Sequence, residues 1–343
     1  MSTVSLVTGG AGFIGSHVVD ELIALGHQVL ILDDLSGGFR RNIHPAAQWI
    51  EGSITDVALV DRLFDLHRID YVYHLAAYAA EGLSHFIKRY NYTNNLLGSV
   101  NLINAAVNHA VKCFVFTSSI AVYGTAQLPM HEEILPQPED PYGIAKYAVE
   151  LDLAESQAMF GLPYVIFRPH NVYGERQNLS DTYRNVIGIF IRRALQGLPL
   201  TLFGDGEQTR AFTHVDDVAP ILARCVERPA AYNQVFNIGA DERCSVNQIA
   251  QLVAAALDRP CQITYLPQRH EVLHAYASHT RVQSHFGDLQ RHISLEQGIR
   301  RMAAWAQTLQ PGVSKPFAGI EVHKRLPPSW AALDASTLRQ ATP

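Results

Sequence analysis

TVSLVTGGAGFIG, residues 3–15, decides the fold of this chain. Its first six residues form an apolar, β-branched run, and the glycines behind them stand in a GxxGxxG spacing. Apolar residues then recur at helical spacing over 13–25, and QVLILDD at 28–34 has the composition of a second strand. Strand, glycine turn, helix and strand in this order predict a βαβ unit with parallel strands.

The alternation of strand-like and helix-like segments continues through the first half of the chain. Three segments are strand-like: YVYHLAA (71–77), KCFVFTSS (112–119) and PYVIFRP (163–169). Two are helix-like: NLLGSVNLINAAVNHA (95–110) and YGIAKYAVELDLAESQAMF (142–160). Repeated strands and helices of these lengths predict an α/β fold, a doubly wound parallel-sheet Rossmann domain with helices on both faces of the sheet.

A second, smaller lobe is predicted because the alternation loosens after about residue 170. We expect the Rossmann domain over 1–177, with about 211–240 returning to it. An interleaved α/β substrate lobe would then comprise about 178–210 and 241–310, and the proline- and glycine-rich 311–343 would form an extended tail.

Composition excludes several classes of function. With 27 Lys and Arg against 32 Asp and Glu, the formal net charge is -5, which gives no electrostatic footprint for nucleic acid. The four cysteines form no CxxC pair, so we expect reduced thiols. The start lacks a signal-peptide pattern and no apolar run reaches the roughly 18 residues of a membrane span, so we expect a cytoplasmic protein without a membrane partner.

The glycine loop and one carboxylate predict a dinucleotide site. Glycines Gly9, Gly12 and Gly15 would let the backbone approach a pyrophosphate, which binds at the N-terminus of the following helix. Asp33 closes the second strand about twenty residues further on, where a carboxylate accepts the adenosine ribose hydroxyls. This charge favours NAD over NADP, although Arg40 and Arg41, slightly downstream, leave NADP open as an alternative.

A tyrosine, a lysine and a serine indicate proton transfer. Tyr142 and Lys146 are four residues apart, so their side chains project from one helix face. A nearby ammonium favours the phenolate form of the tyrosine, which could then take a proton from a substrate hydroxyl and return it. Ser119 follows a predicted parallel strand, and ligands of such folds bind at the carboxyl ends of the strands.

At this point the sequence resembles the extended short-chain dehydrogenases/reductases, and within them the nucleotide-sugar epimerases and dehydratases. The motifs that carry the resemblance run through nearly the whole chain: TGGAGFIGS, HLAA, TSSIAVYG, PYGIAK, FRPHNVYGE and LFGDGEQTRAFTHVDDVA. By position, the resemblance implies that Tyr142 is the catalytic base, that Lys146 orients the nicotinamide ribose, and that Ser119 hydrogen-bonds the reacting oxygen.

The resemblance also implies two sets of binding residues. The NAD set is Gly9, Gly12, Phe13, Ile14, Gly15, Asp33, Ser53, Ile54, Leu75, Ala76, Asn95, Tyr142, Lys146 and His170. Ser53 departs from the family, in which a Gly-Asp pair is common at the adenine. The set that would hold a UDP-sugar is Asn171, Asn185, Thr201, Phe203, Arg210, Arg269 and Glu271.

The type of reaction is predicted from the two residues that follow Ser119, neither of which is acidic. The 4,6-dehydratases carry acidic residues there, whereas this chain has Ile120 and Ala121. We therefore expect a UDP-sugar 4-epimerase that oxidises C4 transiently and returns the hydride, for cell-surface polysaccharide or related glycoconjugate synthesis. A dehydratase or a keto-sugar reductase on the same scaffold stays open as an alternative, and so does the choice among the glucose, N-acetylglucosamine and glucuronate series.

Further expectations concern the partner subunit and two polar residues. By analogy with the family, the helices at about 91–110 and 142–160 would pack against their copies in a homodimer. Glu81 lies near the expected sugar, although a loop carboxylate is usually just solvated, and Arg184 could pair with a sugar carboxylate or cap the start of a helix. Both stay outside the predicted site.

HEVLH at 270–274 matches the HExxH pattern of zinc proteases. That chemistry needs a long amphipathic helix, whereas this segment follows Pro267 and a predicted strand. We therefore expect no metal, and Glu271 is predicted to line the rim of the nucleotide-sugar pocket.

Overall fold

The structure is a computed structural model, and it describes residues 2–125, 128–181, 185–267, 274–309, 317 and 319–327. The strands are β1 (Val4–Thr8), β2 (Gln28–Asp33), β3 (Gln48–Glu51), β4 (Tyr71–His74), β5 (Cys113–Thr117), β6 (Tyr164–Pro169), β7 (Val172–Tyr173), β8 (Leu200–Phe203), β9 (Thr209–Ala211), β10 (Thr213–His214), β11 (Gln234–Ile238), β12 (Arg243–Ser245), β13 (Ile263–Leu266) and β14 (His274–Ala275). The α-helices are α1 (Phe13–Ala24), α2 (Val57–Leu66), α3 (Glu81–Ser84), α4 (Lys88–Tyr92), α5 (Gly98–Asn108), α6 (Pro141–Phe160), α7 (Val186–Leu195), α8 (Ala219–Arg224), α9 (Val246–Ala256), α10 (Thr280–Phe286) and α11 (Leu295–Gln307).

A seven-stranded sheet with the order β3-β2-β1-β4-β5-β6-β11 forms the centre of the molecule. Every pair of neighbours in it runs parallel. The predicted doubly wound α/β fold is therefore confirmed. The strand order reverses between β1 and β4, and in folds of this kind ligands bind outside the carboxyl ends of the strands at such a switch point.

Both faces of the sheet are buried, which explains why its strands are almost continuously apolar. Successive residues of a strand point to opposite faces. Leu6 and Leu30 belong to the core on one face, whereas Val7 and Ile31 belong to the core on the other. All four side chains are at most 1% exposed, so the sheet is fixed between two apolar layers.

The C-terminal half builds a second core beside the sheet. It contains α7, α9 and α11 together with Leu200 and Leu202 of β8, and Ile299 and Met302 of α11 are fully buried in it. Short strand pairs complete this lobe: β8 with β13, β10 with β7, and β9 between β12 and β14. Because β11 lies in the main sheet beside β6, the chain returns to the first core before it continues into the lobe. The exact domain limits stay a proposal.

The described part of the tail packs against residues 78–92. The Glu321 carboxylate accepts hydrogen bonds from the backbone N–H groups of Arg89 (2.8 Å) and Tyr90 (3.0 Å). The ring of Phe317 lies 5.2 Å from that of Tyr78 and 4.9 Å from that of Tyr90. The remainder of the predicted tail lies outside the described residues.

No helix among the described residues is long and apolar enough to cross a membrane. Cys113, Cys225 and Cys244 are free and buried, and Cys261 is free and exposed.

Candidate functional site

The glycine loop between β1 and α1 is packed too closely for side chains. A methyl group on Gly15 would lie 2.1 Å from Gly9 O, and one on Gly9 would lie 2.7 Å from Ala76 N. Gly9 also has a φ of 73°, a left-handed conformation that glycine adopts without strain. Gly12 begins α1 without a side-chain cap. The first N–H groups of this helix are thus available to an anion such as a pyrophosphate.

Asp33, at the end of β2, is fixed beside this loop. Its carboxylate accepts hydrogen bonds from Ala11 N (2.9 Å) and Leu35 N (2.8 Å). Burial raises the pKa of Asp33, and the two backbone N–H groups oppose this shift. Each carboxylate oxygen keeps a further lone pair that a ribose hydroxyl can use. The loop and this acid together fit an adenosine diphosphate moiety, as NAD requires.

The two arginines that left NADP open are engaged elsewhere. The Arg40 guanidinium donates to Glu51 at 2.9 Å and lies 4.4 Å from the ring centroid of Trp49. Arg41 lies 4.0 Å from the ring centroid of Phe39. A 2'-phosphate would compete with Glu51 for Arg40 and would meet the Asp33 charge, so the geometry fits NAD.

A buried polar network supports the floor of the cofactor cleft. The two ring nitrogens of His74 lie 2.8 Å from Thr8 Oγ1 and 2.8 Å from Ser99 Oγ. Burial lowers the pKa of His74 well below its ordinary value, so the ring is neutral. The predicted NAD residue Asn95 accepts from Tyr78 N at 2.8 Å and donates back to Tyr78 O at 3.1 Å. This side chain therefore fixes the segment that follows β4.

The remaining predicted NAD residues line the same edge of the sheet. Leu75 and Ala76 follow β4, and the close approach of Gly9 places Ala76 against the glycine loop. Ile54 is 6% exposed and contacts α5 at Gly98, where a methyl group would lie 2.6 Å from the Ile54 side chain. His170 follows β6 and is fully buried. Ser53 bonds Thr55 (2.9 Å between the hydroxyls), while Phe13 and Ile14 are half-buried in α1.

Ser119, Tyr142 and Lys146 come from two adjoining elements. Ser119 ends the stretch after β5 and caps the 3₁₀ turn Ile120–Tyr123 by accepting from Ala121 N at 3.1 Å. Tyr142 is the second residue of α6 and Lys146 lies one turn further. A methyl group on Gly143 would lie 2.6 Å from Ala121 O. The first turn of α6, which carries Tyr142, thus packs closely against the turn that Ser119 caps, at the carboxyl end of β5.

Lys146 is buried, and its ammonium has a defined position. Its Nζ donates to Thr117 O at 2.8 Å and lies 4.7 Å from the Phe116 ring centroid and 5.8 Å from that of Tyr142. Burial lowers the pKa of Lys146 to about 7, and the charge of Glu150 opposes this shift. The positive charge beside the tyrosine therefore titrates close to neutral pH.

A buried ion pair beneath the lysine was not predicted from the sequence. Glu150, one turn after Lys146, accepts from Arg168 Nε at 3.0 Å and also bonds the Ser118 hydroxyl. Arg168 Nη1 donates to Tyr123 Oη at 2.6 Å. Burial disfavours the charge on Arg168, but the Glu150 carboxylate outweighs this and raises the pKa of the guanidinium. The pair links β6, α6 and the stretch after β5.

The start of α6 contains a second acid that the sequence analysis missed. Asp140 is the N-cap, and its carboxylate accepts from Gly143 N at 3.0 Å and from Ser84 Oγ at 3.3 Å. Burial raises the pKa of Asp140, while the Gly143 N–H and its other donors oppose the shift. An Asp directly before a Pro at the first helical position is a helix-start signal that could have been found. It fixes the helix turn that carries Tyr142.

The structure brings three of the predicted substrate residues together at one side of the lobe. Asn171, with a φ of 41°, donates to Ala211 O at 3.1 Å, next to Arg210 in β9. Asn185 caps α7 by accepting from Ile187 N at 2.9 Å and donates to Val172 O at 3.1 Å. Both asparagines thus fix the strands around Arg210.

Thr201 and Phe203 lie on β8, and both are half-buried. Gln208 connects this strand with β9 by donating to Phe203 O at 3.0 Å. Arg269, Glu271 and Arg184 lie outside the described residues, as does most of HEVLH. The described residues contain no group of three His, Cys, Asp or Glu side chains that could hold a metal ion.

Comparison with known proteins shows which proteins most of this chain is similar to. The model of the NAD dependent epimerase/dehydratase family matches residues 5–239. A UDP-glucose 4-epimerase from Mycolicibacterium smegmatis is 34% identical over 305 residues, 87% of this chain and 96% of that protein. The crystal structure of the UDP-glucose 4-epimerase of Thermotoga maritima with UDP-glucose has a TM-score of 0.84 and 36% identity over 89% of this chain and 99% of that chain. The structure of the UDP-glucuronic acid 4-epimerase of Bacillus cereus, in complex with UDP-glucuronic acid and NAD, has a TM-score of 0.82 and 28% identity. The match covers 90% of this chain and 100% of that chain.

Proposed function

Because this chain belongs to the NAD-dependent epimerase/dehydratase family and is an NAD-dependent nucleotide-sugar epimerase, we propose that its reaction is the 4-epimerisation of a UDP-sugar. The observation that carries the proposal is the arrangement of Ser119, Tyr142 and Lys146 at the carboxyl end of β5, with Ile120 and Ala121 behind the serine. A proton can be removed from and returned to one hydroxyl there, and no carboxyl group at these two positions can act on a neighbouring carbon.

Tyr142 removes the proton of the C4 hydroxyl. It returns this proton after the 4-keto sugar has rotated and presents its opposite face. Ser119 donates to the same oxygen, which holds the 4-keto sugar between the two steps. The Lys146 ammonium, 5.8 Å from the Tyr142 ring centroid, stabilises the phenolate by its charge. NAD, when bound, accepts the C4 hydride and returns it to the opposite face, so the net reaction consumes no cofactor.

The alternatives on this scaffold need other residues or another use of NAD. After oxidation at C4, a 4,6-dehydratase needs a base to remove the C5 proton and an acid to protonate the hydroxyl that leaves C6 as water, and Ile120 and Ala121 supply neither. A keto-sugar reductase would consume its reduced cofactor in each turnover. Conversion of a UDP-sugar without added NADH separates the epimerase from the reductase.

The nucleotide half of the substrate is proposed to bind in the lobe. Arg210, on β9, is proposed to pair with the diphosphate, and Asn171 supports this position because it donates to the adjacent Ala211 O. Asn185, Thr201 and Phe203 are proposed to line the uracil pocket. Arg269 and Glu271, outside the described residues, are proposed to close it around the diphosphate and the uridine ribose.

A homodimer through α5 and α6 is proposed on the exposure of their apolar residues. Leu97, which directly precedes α5, is 56% exposed, and Leu151, Met159 and Phe160 of α6 are 51%, 74% and 66% exposed. Exposed large apolar side chains on neighbouring helices are typical of a subunit interface. Sedimentation of the wild type and of a Met159→Asp variant tests this: the variant should be monomeric.

The experiment that tests the function compares purified wild type and a Tyr142→Phe variant. Wild type should interconvert a UDP-sugar with its C4 epimer without added NADH. The variant should lose about 10²- to 10⁴-fold in kcat, the usual contribution of a positioned acid–base group, and should retain NAD. Tyr147→Phe, five residues along the same helix, is the matched control and should keep its activity.

Two results would contradict the proposal: no interconversion of any UDP-sugar by wild type, or equal kcat in the Tyr142→Phe variant.

The epimerised sugar is further proposed to serve cell-surface polysaccharide or related glycoconjugate synthesis. Loss of one sugar from the surface polysaccharide of a strain without this enzyme is the expected result.

A further inference from the structure

Glu81 is a carboxyl group in the sugar region that the mechanism does not use. It is the first residue of α3, directly after the segment that carries Leu75 and Ala76. The Ser84 hydroxyl, at the other end of α3, lies 2.6 Å from Glu81 O and 3.3 Å from the Asp140 carboxylate, and both oxygens can accept its single proton. Glu81 is therefore attached through α3 to the N-cap of the helix that carries Tyr142.

The electrostatic neighbours of Glu81 come from opposite sides of the cleft. Its carboxyl group interacts with Asp140, at the start of α6, and with Arg210, on β9 of the lobe. The proposed reaction requires the sugar to lie between Tyr142, two residues after Asp140, and the diphosphate held by Arg210. The position of α3 against the N-cap of α6, together with the electrostatic influence of both Asp140 and Arg210, places Glu81 on the side of the cleft where that sugar would bind.

The side chain of Glu81 is also accessible from the cleft. It is exposed to solvent, yet the surrounding protein, together with the charge of Asp140, raises the pKa of Glu81 to about 7 against a smaller opposing effect of Arg210. Exposure combined with this degree of desolvation is expected for a group in a concave surface. A bound sugar would cover it.

We infer that Glu81 hydrogen-bonds the hydroxyl groups of the sugar ring and selects uncharged UDP-hexoses and their N-acetyl forms against UDP-uronates. The inference rests on the proposed function and names the substrate class of the same site. Hydroxyl groups donate to a carboxyl group, whereas a uronate would place a second carboxylate beside Glu81 and Asp140. Like charges at short range in a partly desolvated cleft repel strongly.

The first experiment measures kcat/KM of the Glu81→Gln variant with UDP-glucose and with UDP-glucuronate. Gln keeps the size of Glu81 and can accept a hydrogen bond, but it removes the charge. We expect wild type to favour UDP-glucose, and the substitution to raise the ratio of kcat/KM for UDP-glucuronate to that for UDP-glucose by about tenfold or more. Glu81→Ala should instead lower kcat/KM for UDP-glucose by about 10- to 100-fold, because a hydrogen bond to a charged acceptor is lost.

Glu296→Gln is the control for loss of a carboxylate. Glu296 is exposed on α11 and pairs with Arg300 at 2.6 Å. This variant should leave the ratio of the two substrates unchanged. Thermal unfolding of all variants shows whether a lower rate reflects loss of folded protein.

A pH profile separates a charge effect from a structural one. Below the pKa of about 7, Glu81 is neutral and its repulsion of a uronate disappears. The relative kcat/KM for UDP-glucuronate in wild type should therefore rise as the pH falls from about 8 to about 6, and Glu81→Gln should abolish this dependence. Asp140 and Arg210 remain in the variant, so their titration cannot produce the difference.

The outcomes distinguish this inference from the proposed function. If wild type epimerises UDP-glucuronate in preference, or if Glu81→Gln leaves the ratio and its pH dependence unchanged, the role of Glu81 is wrong while the 4-epimerase stands. If wild type epimerises no UDP-sugar, UDP-N-acetylglucosamine included, the proposed function itself fails.

Discussion

The cofactor side and the substrate side of the cleft differ in what fixes their geometry. On the cofactor side, backbone lies against backbone, as at Gly15, where a methyl group would come within 2.1 Å of Gly9 O. On the substrate side, side chains such as those of Asn171 and Asn185 hold neighbouring segments by single hydrogen bonds. Changes on the cofactor side should therefore cost stability, whereas changes on the substrate side should alter which sugar reacts.

The charged groups of the two sides differ in the same way. Glu150 and Arg168 are 5% and 4% exposed and pair beneath Lys146. Glu81, on the sugar side, is open to the cleft and shares its surroundings with both an acid and an arginine. A buried pair fixes one arrangement, whereas an accessible carboxyl group can respond to the ligand.

The largest effect is expected from Glu150→Gln on the cofactor side. The substitution leaves the Arg168 guanidinium charged and buried, and breaking a buried pair by removing one partner costs about 3–5 kcal/mol. Urea unfolding with the cofactor present should show this loss in the free energy of unfolding. Because the charge of Glu150 raises the pKa of Lys146, the variant should also lose activity at a lower pH than wild type as the pH rises.

Glu296→Gln is the matched change at an exposed pair. Glu296 and Arg300 are 59% and 69% exposed in their side chains, and such pairs contribute at most about 0.5 kcal/mol. Equal losses in the two variants would show that burial does not distinguish the cofactor side.

The second largest loss of stability is expected from Gly15→Ala. The added methyl group would overlap Gly9 O. Because this oxygen belongs to the backbone and cannot rotate away, the loop or α1 must shift. We expect a loss of about 1–3 kcal/mol in the free energy of unfolding and weaker retention of NAD. Gly287→Ala is the control, since a methyl group there would meet nothing within 4 Å. Unchanged NAD content in Gly15→Ala would contradict the close-contact account of this loop.

The same difference explains which parts of the fold the sequence predicts. Strands buried on both faces are continuous apolar runs, and β1, β2, β4, β5 and β6 all lie where such runs predicted them. β3 and α2 were missed. β3 has four residues, none of them buried, at the edge of the sheet, so it lacks the apolar pattern of the inner strands.

α11 was also missed, although its sequence contains a usable signal. Ser294 caps it, and Ile299, Met302, Ala303 and Ala306 recur at helical spacing on its buried face. Charged residues such as Arg300 on the opposite face complete an amphipathic pattern, so this helix could have been predicted.

Site residues were predictable where local spacing carries the chemistry. Tyr142 and Lys146 are four residues apart on one helix, so their proximity is a property of the helix itself. Glu150 and Arg168 lie 18 residues apart on different elements and meet only because β6 lies beside β5. Glu81 and Arg210 come from different lobes, and only the folded chain brings them to one cleft.

The smallest effect is expected on the substrate side, from Asn185→Ala. The side chain caps α7 through Ile187 N at 2.9 Å, and loss of such a cap costs about 1 kcal/mol of stability. It also donates to Val172 O at 3.1 Å, which fixes the chain beside Asn171. If Asn185 lines the uracil pocket, KM for the UDP-sugar should rise a few-fold with little change in kcat.

Ser294→Ala separates the cap from the binding role. Ser294 caps α11 by accepting from Gln297 N at 3.3 Å, and the predicted UDP-sugar set does not include it. The two variants should lose similar stability, because each loses one N-cap hydrogen bond. Only Asn185→Ala should also raise KM, since a substrate that binds at residue 185 meets the altered surface directly. An unchanged KM in both variants would make Asn185 a structural cap alone, and the substrate side would then depend on Arg210 and on the aromatic and hydroxyl groups of β8.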